Sequence, residues 1–401
     1  MRLRTGLALA ATVLALGGVA WLAVGGGAGG SLSVVWVSDT ATDARGNHHA
    51  PTAAEIDGER YVFAPISGRS GSDACRLAGL DGDDGTTEWR VDIAPANCTI
   101  HAVADPVVAD IDGDDRPEVL AATTAETVVS VDPVTGDAET LVELSSYGYT
   151  EPVVANLTGA GPAVAVVDYE GTAVVVGPDG QRRWRVEGTR GVEAQPRVAD
   201  VDGDDSPELV VAATGGAITV YDGDGTVRRR HAVAGSPVSV VAASDARIVY
   251  TTAGGEVVAL DDEGVAWRRS FGELATVETT LDGDGDGRSE LYVGTADGRV
   301  RALSAATGET EWSTAVTRDD VQVVPGPVAG DVDDDGDREL LVASQDGRVS
   351  VLDPGDGGVA ATYERDVPVY VHPRLGDVDG DGTPEVLVVY GDGRIVALSA
   401  G

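Results

Sequence analysis

Five nine-residue phrases in this chain alternate carboxylates and end on a glutamate. They are DIDGDDRPE from Asp110, DVDGDDSPE from Asp200, DGDGDGRSE from Asp282, DVDDDGDRE from Asp331 and DVDGDGTPE from Asp377. Carboxylates at positions 1, 3 and 5 of a tight loop can aim at one centre. A backbone carbonyl at position 7 and a carboxylate at position 9 can close the cage. Hard oxygen donors in that arrangement suit calcium, which takes about 6–8 oxygens at roughly 2.3–2.6 Å. The expected side-chain ligands are Asp110, Asp112, Asp114 and Glu118; Asp200, Asp202, Asp204 and Glu208; Asp282, Asp284, Asp286 and Glu290; Asp331, Asp333, Asp335 and Glu339; and Asp377, Asp379, Asp381 and Glu385. The fourth phrase has Asp334 where the others have glycine, which predicts strain in that loop.

The competing reading is a very acidic protein that places aspartate in every turn. The chain has 28 basic and 67 acidic residues, a net charge of −39 and no lysine. Acid is spread along the whole length, unlike a disordered acidic tail. The composition resembles that of proteins from extreme halophiles, and it excludes nucleic acid and anionic lipid as natural partners. The sequence holds its own control. LDGDDGTTEW from Leu80 and YDGDGTV from Tyr221 are also acidic turns, but they lack the ninth-position carboxylate. Elsewhere the phrase loses its ligands together, as in NLTGAGPA from Asn156 and ASDARIV from Ala243. Joint presence and joint loss favour metal loops over solvated turns.

The elements that hold these loops form an internal repeat. From Gln195 the chain reads PRVAD, the acidic phrase, PELVVAAT, a glycine turn, AITVYD, a second turn and TVRRRHAV. That is a four-stranded meander with the acidic phrase between its first and second strands. Similar units start near Pro51, Asp105, Glu151, Gln195, Ser236, Glu278, Gly326 and His372. Four strands in about 40–50 residues is the pattern of a β-propeller blade. The last unit stops at GRIVALSAG, its third strand, while an unassigned SLSVVWVSD stands around Trp36. The expected fold is therefore all-β. It is an eight-bladed propeller over residues 31–401, closed by the N-terminal strand and preceded by one hydrophobic helix within residues 1–30. Closure removes an open sheet edge.

Here the chain resembles known families. GRVRALSAATGETEWST from Gly298 is similar to the repeat of PQQ-type quinoprotein propellers, as is LDGDDGTTEW. The phrase D-x-D-G-D-x-x-P-E resembles the calcium loop of FG-GAP/VCBS repeats in integrin α-type propellers, which usually have Asp where this chain has Glu at position 9. The resemblance implies that the loops brace blades and lie on the face opposite the usual ligand face. The quinoprotein pattern also has adjacent cysteines, which are absent here, since Cys75 and Cys98 are 23 residues apart.

The opposite mouth of the channel should carry the residues leading into the first strands: Asp105, Glu151, Gln195, Glu278 and His372, with His49 nearby. They read either as a polar funnel for a ligand or as ordinary solvated loops. The five histidines are scattered in the sequence, and no G-x-S-x-G or H-E-x-x-H motif occurs. Arg2 and Arg4 precede 19 uncharged residues, Gly6–Val24, which predicts a membrane anchor with the propeller outside, or a cleaved signal. Outside the cell, Cys75 and Cys98 could form a disulfide. Two function classes follow. One is a membrane-anchored, calcium-binding scaffold at the cell surface that meets a protein or glycan. The other is an exported enzyme, either a quinoprotein-like dehydrogenase or a polysaccharide-degrading one. The missing catalytic motifs favour the first; a His–Arg or carboxylate cluster deep in the channel would favour the second.

Overall fold

The computed structural model describes residues 30–243 and 247–400. The expected anchor or signal, apart from Gly30, lies outside the described residues. Among the described residues no helix is long and apolar enough to cross a membrane.

Eight antiparallel four-stranded meanders follow one another along the chain. Blade one comprises Thr52–Ile56, Glu59–Ile66, Arg76–Asp81 and Thr87–Asp92. Six further blades repeat this order, and blade eight draws on both ends of the chain. Its first three strands are Arg374–Gly376, Glu385–Val389 and Ile395–Ser399, and its fourth is Ser33–Val37. Trp36 pairs with Ala397 and Val37 with Val396, so the N-terminal strand closes the ring. Just before it, Gly30–Ser31 adds a short parallel strand to the outer edge of blade seven, Gly30 opposite Ala361.

The strand sequences follow from what covers each strand. Middle strands are flanked by neighbouring blades on both faces, so they read as continuous apolar runs. AVAVV at Ala163–Val167 and TAVVV at Thr172–Val176 are buried throughout. The outer strand of the same blade, RRWRVE at Arg182–Glu187, alternates because one face meets water. Eight apolar clusters result, one at each seam between adjacent blades. At the closure seam Trp36, Val62 and Leu80 meet Val378, Leu387 and Ile395.

The scarce tryptophans tie the seams. Each outer-strand indole N–H donates to a backbone carbonyl in the next blade: Trp36 to Gly82 at 2.6 Å, Trp89 to Pro133 at 2.8 Å, Trp184 to Gly223 at 2.9 Å, Trp267 to Ala305 at 3.0 Å and Trp312 to Pro354 at 2.8 Å. The ring lies on a glycine of that blade's turn between third and fourth strands. A Cβ on Gly85 would stand 2.4 Å from Trp36, and one on Gly357 2.5 Å from Trp312; both glycines also have positive φ. The acidic turns at Asp81 and Asp222, which served as controls, belong to this set. They shape a seat for the preceding blade's tryptophan.

Candidate functional site

All five acidic phrases connect the first and second strands of a blade, as their position in the repeat predicts. They are the loops of blades two, four, six, seven and eight. Each folds on the same frame. The ninth-position glutamate opens the second strand, and its carboxylate accepts the backbone N–H of position 2. Those bonds are Ile111 to Glu118 at 3.1 Å, Val201 to Glu208 at 3.0 Å, Gly283 to Glu290 at 2.8 Å, Val332 to Glu339 at 3.0 Å and Val378 to Glu385 at 2.9 Å. The first aspartate turns the chain by accepting the N–H of position 6, as in Asp115 to Asp110 at 3.1 Å and Gly382 to Asp377 at 3.1 Å. Positions 4 and 6 have positive φ, 82° at Gly113 and 68° at Asp115. Glycine or aspartate is therefore needed at both.

This frame gathers carboxylates. One oxygen from each of Asp110, Asp112 and Asp114 lies within 4.8 Å of the others; the same holds for Asp200, Asp202 and Glu208, for Asp282, Asp284 and Glu290, and for Asp331, Asp333 and Glu339. Burial raises the pKa of all five glutamates, and the aspartates beside each add to the shift. Glu290 reaches about 7. Such crowding suits a bound cation. In blade seven, Asp334 takes φ 59°, and Asp331 has a buried carboxylate oxygen without a hydrogen-bond partner. That orphan oxygen fits the demand of a hard cation for oxygen ligands. Blade four differs: the Arg228 guanidinium lies against Asp202 and pairs with Asp222 at 3.0 Å, so a protein cation already stands beside the cage.

The incomplete loops are also informative. Asn156 in blade three keeps only the turn, accepting the N–H of Gly161 at 3.1 Å. Blade one replaces the loop with Asp57-Gly58, both at positive φ, a tight hairpin.

The residues expected at the opposite mouth do converge. His49, Asp105, Gln195, Glu278 and His372 line one cavity of about 170 Å³ in the channel, together with Tyr149 and Ser239. Glu151 joins through Gln195, whose side-chain oxygen accepts its backbone N–H at 2.7 Å. These are not solvated loops: Asp105 is 1% exposed and His49 3%. Their charges are matched across the channel by two arginines that the sequence reading did not single out. Arg374 of blade eight pairs with Glu151 of blade three at 2.9 Å and with Asp105 at 3.7 Å. Arg197 of blade four pairs with Glu278 of blade six at 2.5 Å. Glu278 sits at a register shift in its strand, a bulge that re-aims the side chain. Burial alone would raise the Asp105 pKa. The His49 hydrogen bond and the Arg374 charge outweigh it and hold the carboxyl at about 2. A signal for the arginines was present. QPRVAD and HPRLGD carry arginine where DPVVAD and EPVVAN carry valine.

Two more expectations meet the structure. Cys75 and Cys98 are joined as a disulfide, with Cα atoms 5.4 Å apart. The histidines are not scattered in space: His48, His49 and His101 are neighbours beside the channel.

The fold defines an eight-bladed β-propeller. Residues 331–388, most of blade seven with the first two strands of blade eight, match the FG-GAP-like repeat model. Residues 197–303 match the model for the middle region of ciliary BBSome complex subunit 2. No curated protein matches the chain in sequence. Among solved structures, BamB from Moraxella catarrhalis is 17% identical with a TM-score of 0.59, covering 92% of this chain and 97% of that one. The computationally designed Ika8 protein is 14% identical with a TM-score of 0.62, covering 91% and 99%. BBS1N, solved in complex with ARL6DN, is 14% identical with a TM-score of 0.53, covering 73% and 90%. At these identities the likeness concerns the fold alone.

Proposed function

We propose that the chain is a calcium-braced propeller that serves as a protein-binding scaffold outside the cell, tethered by its N-terminal segment. The observation that carries this reading is the single hydrogen-bond frame built five times on one rim, each copy gathering carboxylates that no lysine and few arginines offset. Calcium would be held by the aspartates at positions 1, 3 and 5 and the glutamate at position 9. It would neutralise the crowded charge and stiffen the turn that enters each second strand. The remaining surface acid keeps the protein hydrated in concentrated salt. A protein partner is favoured over a small ligand because the channel carboxylates are already paired with Arg197 and Arg374, and because a cavity of about 170 Å³ is smaller than the roughly 300–1,000 Å³ of ordinary ligand pockets. BBS1N, a propeller of similar fold, has been solved with a protein partner.

The test is cross-linking of the full-length chain in its native envelope, with calcium and after chelation. One stoichiometric protein adduct that disappears on chelation is expected. A chain that stays uncross-linked in both states would overturn the scaffold reading.

A second reading, an exported enzyme, draws on the buried His–Arg–carboxylate cluster of the channel. It predicts turnover of a polysaccharide or an alcohol that Glu278→Gln abolishes; without such turnover this reading falls.

A further inference from the structure

Three histidines far apart in the chain or on separate loops meet where blades one to three face the channel. His48 and His49 lie on the segment entering blade one, and His101 on the segment entering blade two. One ring nitrogen from each lies within 4.8 Å of the others. Their hydrogen bonds set the ring tautomers, and one nitrogen is left without a partner. His48 Nδ1 donates to the Gly46 carbonyl at 2.6 Å, which leaves Nε2 with a lone pair. His49 Nδ1 meets the Asp105 carboxylate at 2.8 Å, and its Nε2 is buried with no partner. His101 Nδ1 donates to His48 Nε2 at 2.8 Å, a bond that a metal between the two would replace as His101 carries its proton on Nε2 instead.

We propose that His48 Nε2, His49 Nε2 and His101 Nδ1 bind one divalent transition-metal ion of the zinc class at the channel mouth. The donor set decides the class. Imidazole nitrogens suit zinc, cobalt, nickel and copper, whereas calcium demands oxygen. The His49–Asp105 bond is the outer contact that metal-bound histidines generally make, since a carboxylate on the far nitrogen fixes the ring and strengthens its lone pair. A metal would also supply a partner for the orphan His49 nitrogen, whose burial is otherwise unfavourable. Burial lowers the His48 pKa to about 3 and the His101 pKa to about 4, so both rings are neutral at neutral pH.

The ligand segments are anchored. Asn47, next to His48, donates to the Gly391 carbonyl at 3.2 Å and accepts the Ser67 N–H at 2.7 Å. The His101 segment is tied by the Cys75–Cys98 disulfide and by Thr124, which donates to the Asn97 carbonyl. Ligands about 2.0–2.1 Å from a tetrahedral ion stand roughly 3.4 Å apart, so His48 and His101 need to part only slightly. Three protein ligands leave a coordination position open, and both His48 and His49 line the channel cavity. Sites of that openness bind water or a substrate group; closed four-ligand sites are structural.

The test uses Co²⁺ on the full-length chain, with calcium in excess so that the acidic loops are filled. The expected result is one Co²⁺ per chain, with the intense visible bands of a nitrogen-ligated tetrahedral centre, displaced by Zn²⁺. His101→Ala and His49→Ala should lose the bands while keeping the far-ultraviolet spectrum of the fold. Asp105→Asn, a positioning change, should weaken binding about 10–100-fold. A readout without mutation is nitrogen NMR of histidine-labelled protein, in which Zn²⁺ should shift His48, His49 and His101 and spare His231 and His372. Absence of tetrahedral bands, bands that survive in His101→Ala, or a Zn²⁺ response spread evenly over all five histidines would overturn the proposal.

Discussion

The two ends of this propeller are built on opposite plans. On one rim, a carboxylate loop is written five times in the same register and leaves its charge crowded. At the other end, a single cluster is assembled from six blades, and its ionic charges are answered by cross-channel arginines. The rim is modular: each loop is closed by hydrogen bonds within its own blade and can be lost, as blades one and three show. The channel is collective. Arg374 ties blade eight to blade three, and Arg197 ties blade four to blade six. The contrast teaches that a rim change should be local and calcium-dependent, whereas a channel change should be global and independent of calcium.

The largest expected effect is in the channel. Arg374→Met leaves the half-buried carboxylate of Glu151 and the buried one of Asp105 without this cation. Breaking a buried ion pair costs about 3–5 kcal/mol, and denaturant unfolding should give the same loss with calcium or chelator. A loss that depends on calcium would break the contrast. A rim change is smaller: Asp112→Asn takes one ligand from one of the five proposed calcium cages. Its cost should be about 1–3 kcal/mol at calcium up to 100-fold above Kd and vanish after chelation.

The legibility of the two ends differs for the same reason. Fold and closure were readable because the blade phrase recurs and because the Trp36 strand was left over at one end while a fourth strand was missing at the other. The rim loops were readable because their ligands lie within nine consecutive residues. The role of the tryptophans was not, since each indole acts on the next blade, some 40 residues away, through a glycine whose sequence context is only a turn. The channel was half readable. Residues leading into the first strands marked its mouth, but the partners of its charges lie across the ring, and no local pattern links Arg374 to Glu151. His48, His49 and His101 looked scattered because ring closure, not sequence spacing, brings them together.

A pH series sharpens the rim side further. Without cation the folded-state pKa of Glu290 is raised from the usual 4.5 to about 7. Folding then favours the protonated form. Its contribution is fully present below about 4.5 and is lost as pH rises towards 7. The melting temperature of chelated protein should fall over that window, while calcium-loaded protein stays level. An unchanged profile after chelation would contradict the crowded-charge account.

The smallest effect is in blade four. Arg228→Ala removes the guanidinium that lies against Asp202. Partly exposed ion pairs are worth about 0.2–1 kcal/mol, so calcium at that loop should tighten by up to about fivefold in a calorimetric titration. Weaker binding there would mean that Arg228 assists the cage.

The central claim is that the five acidic loops are cation braces and not merely solvated turns. Thermal unfolding at constant high NaCl, before and after removal of divalent ions, tests it most directly. The account predicts a clear drop in Tm on chelation, restored by calcium and not by more NaCl. A Tm that chelation leaves unchanged would contradict it.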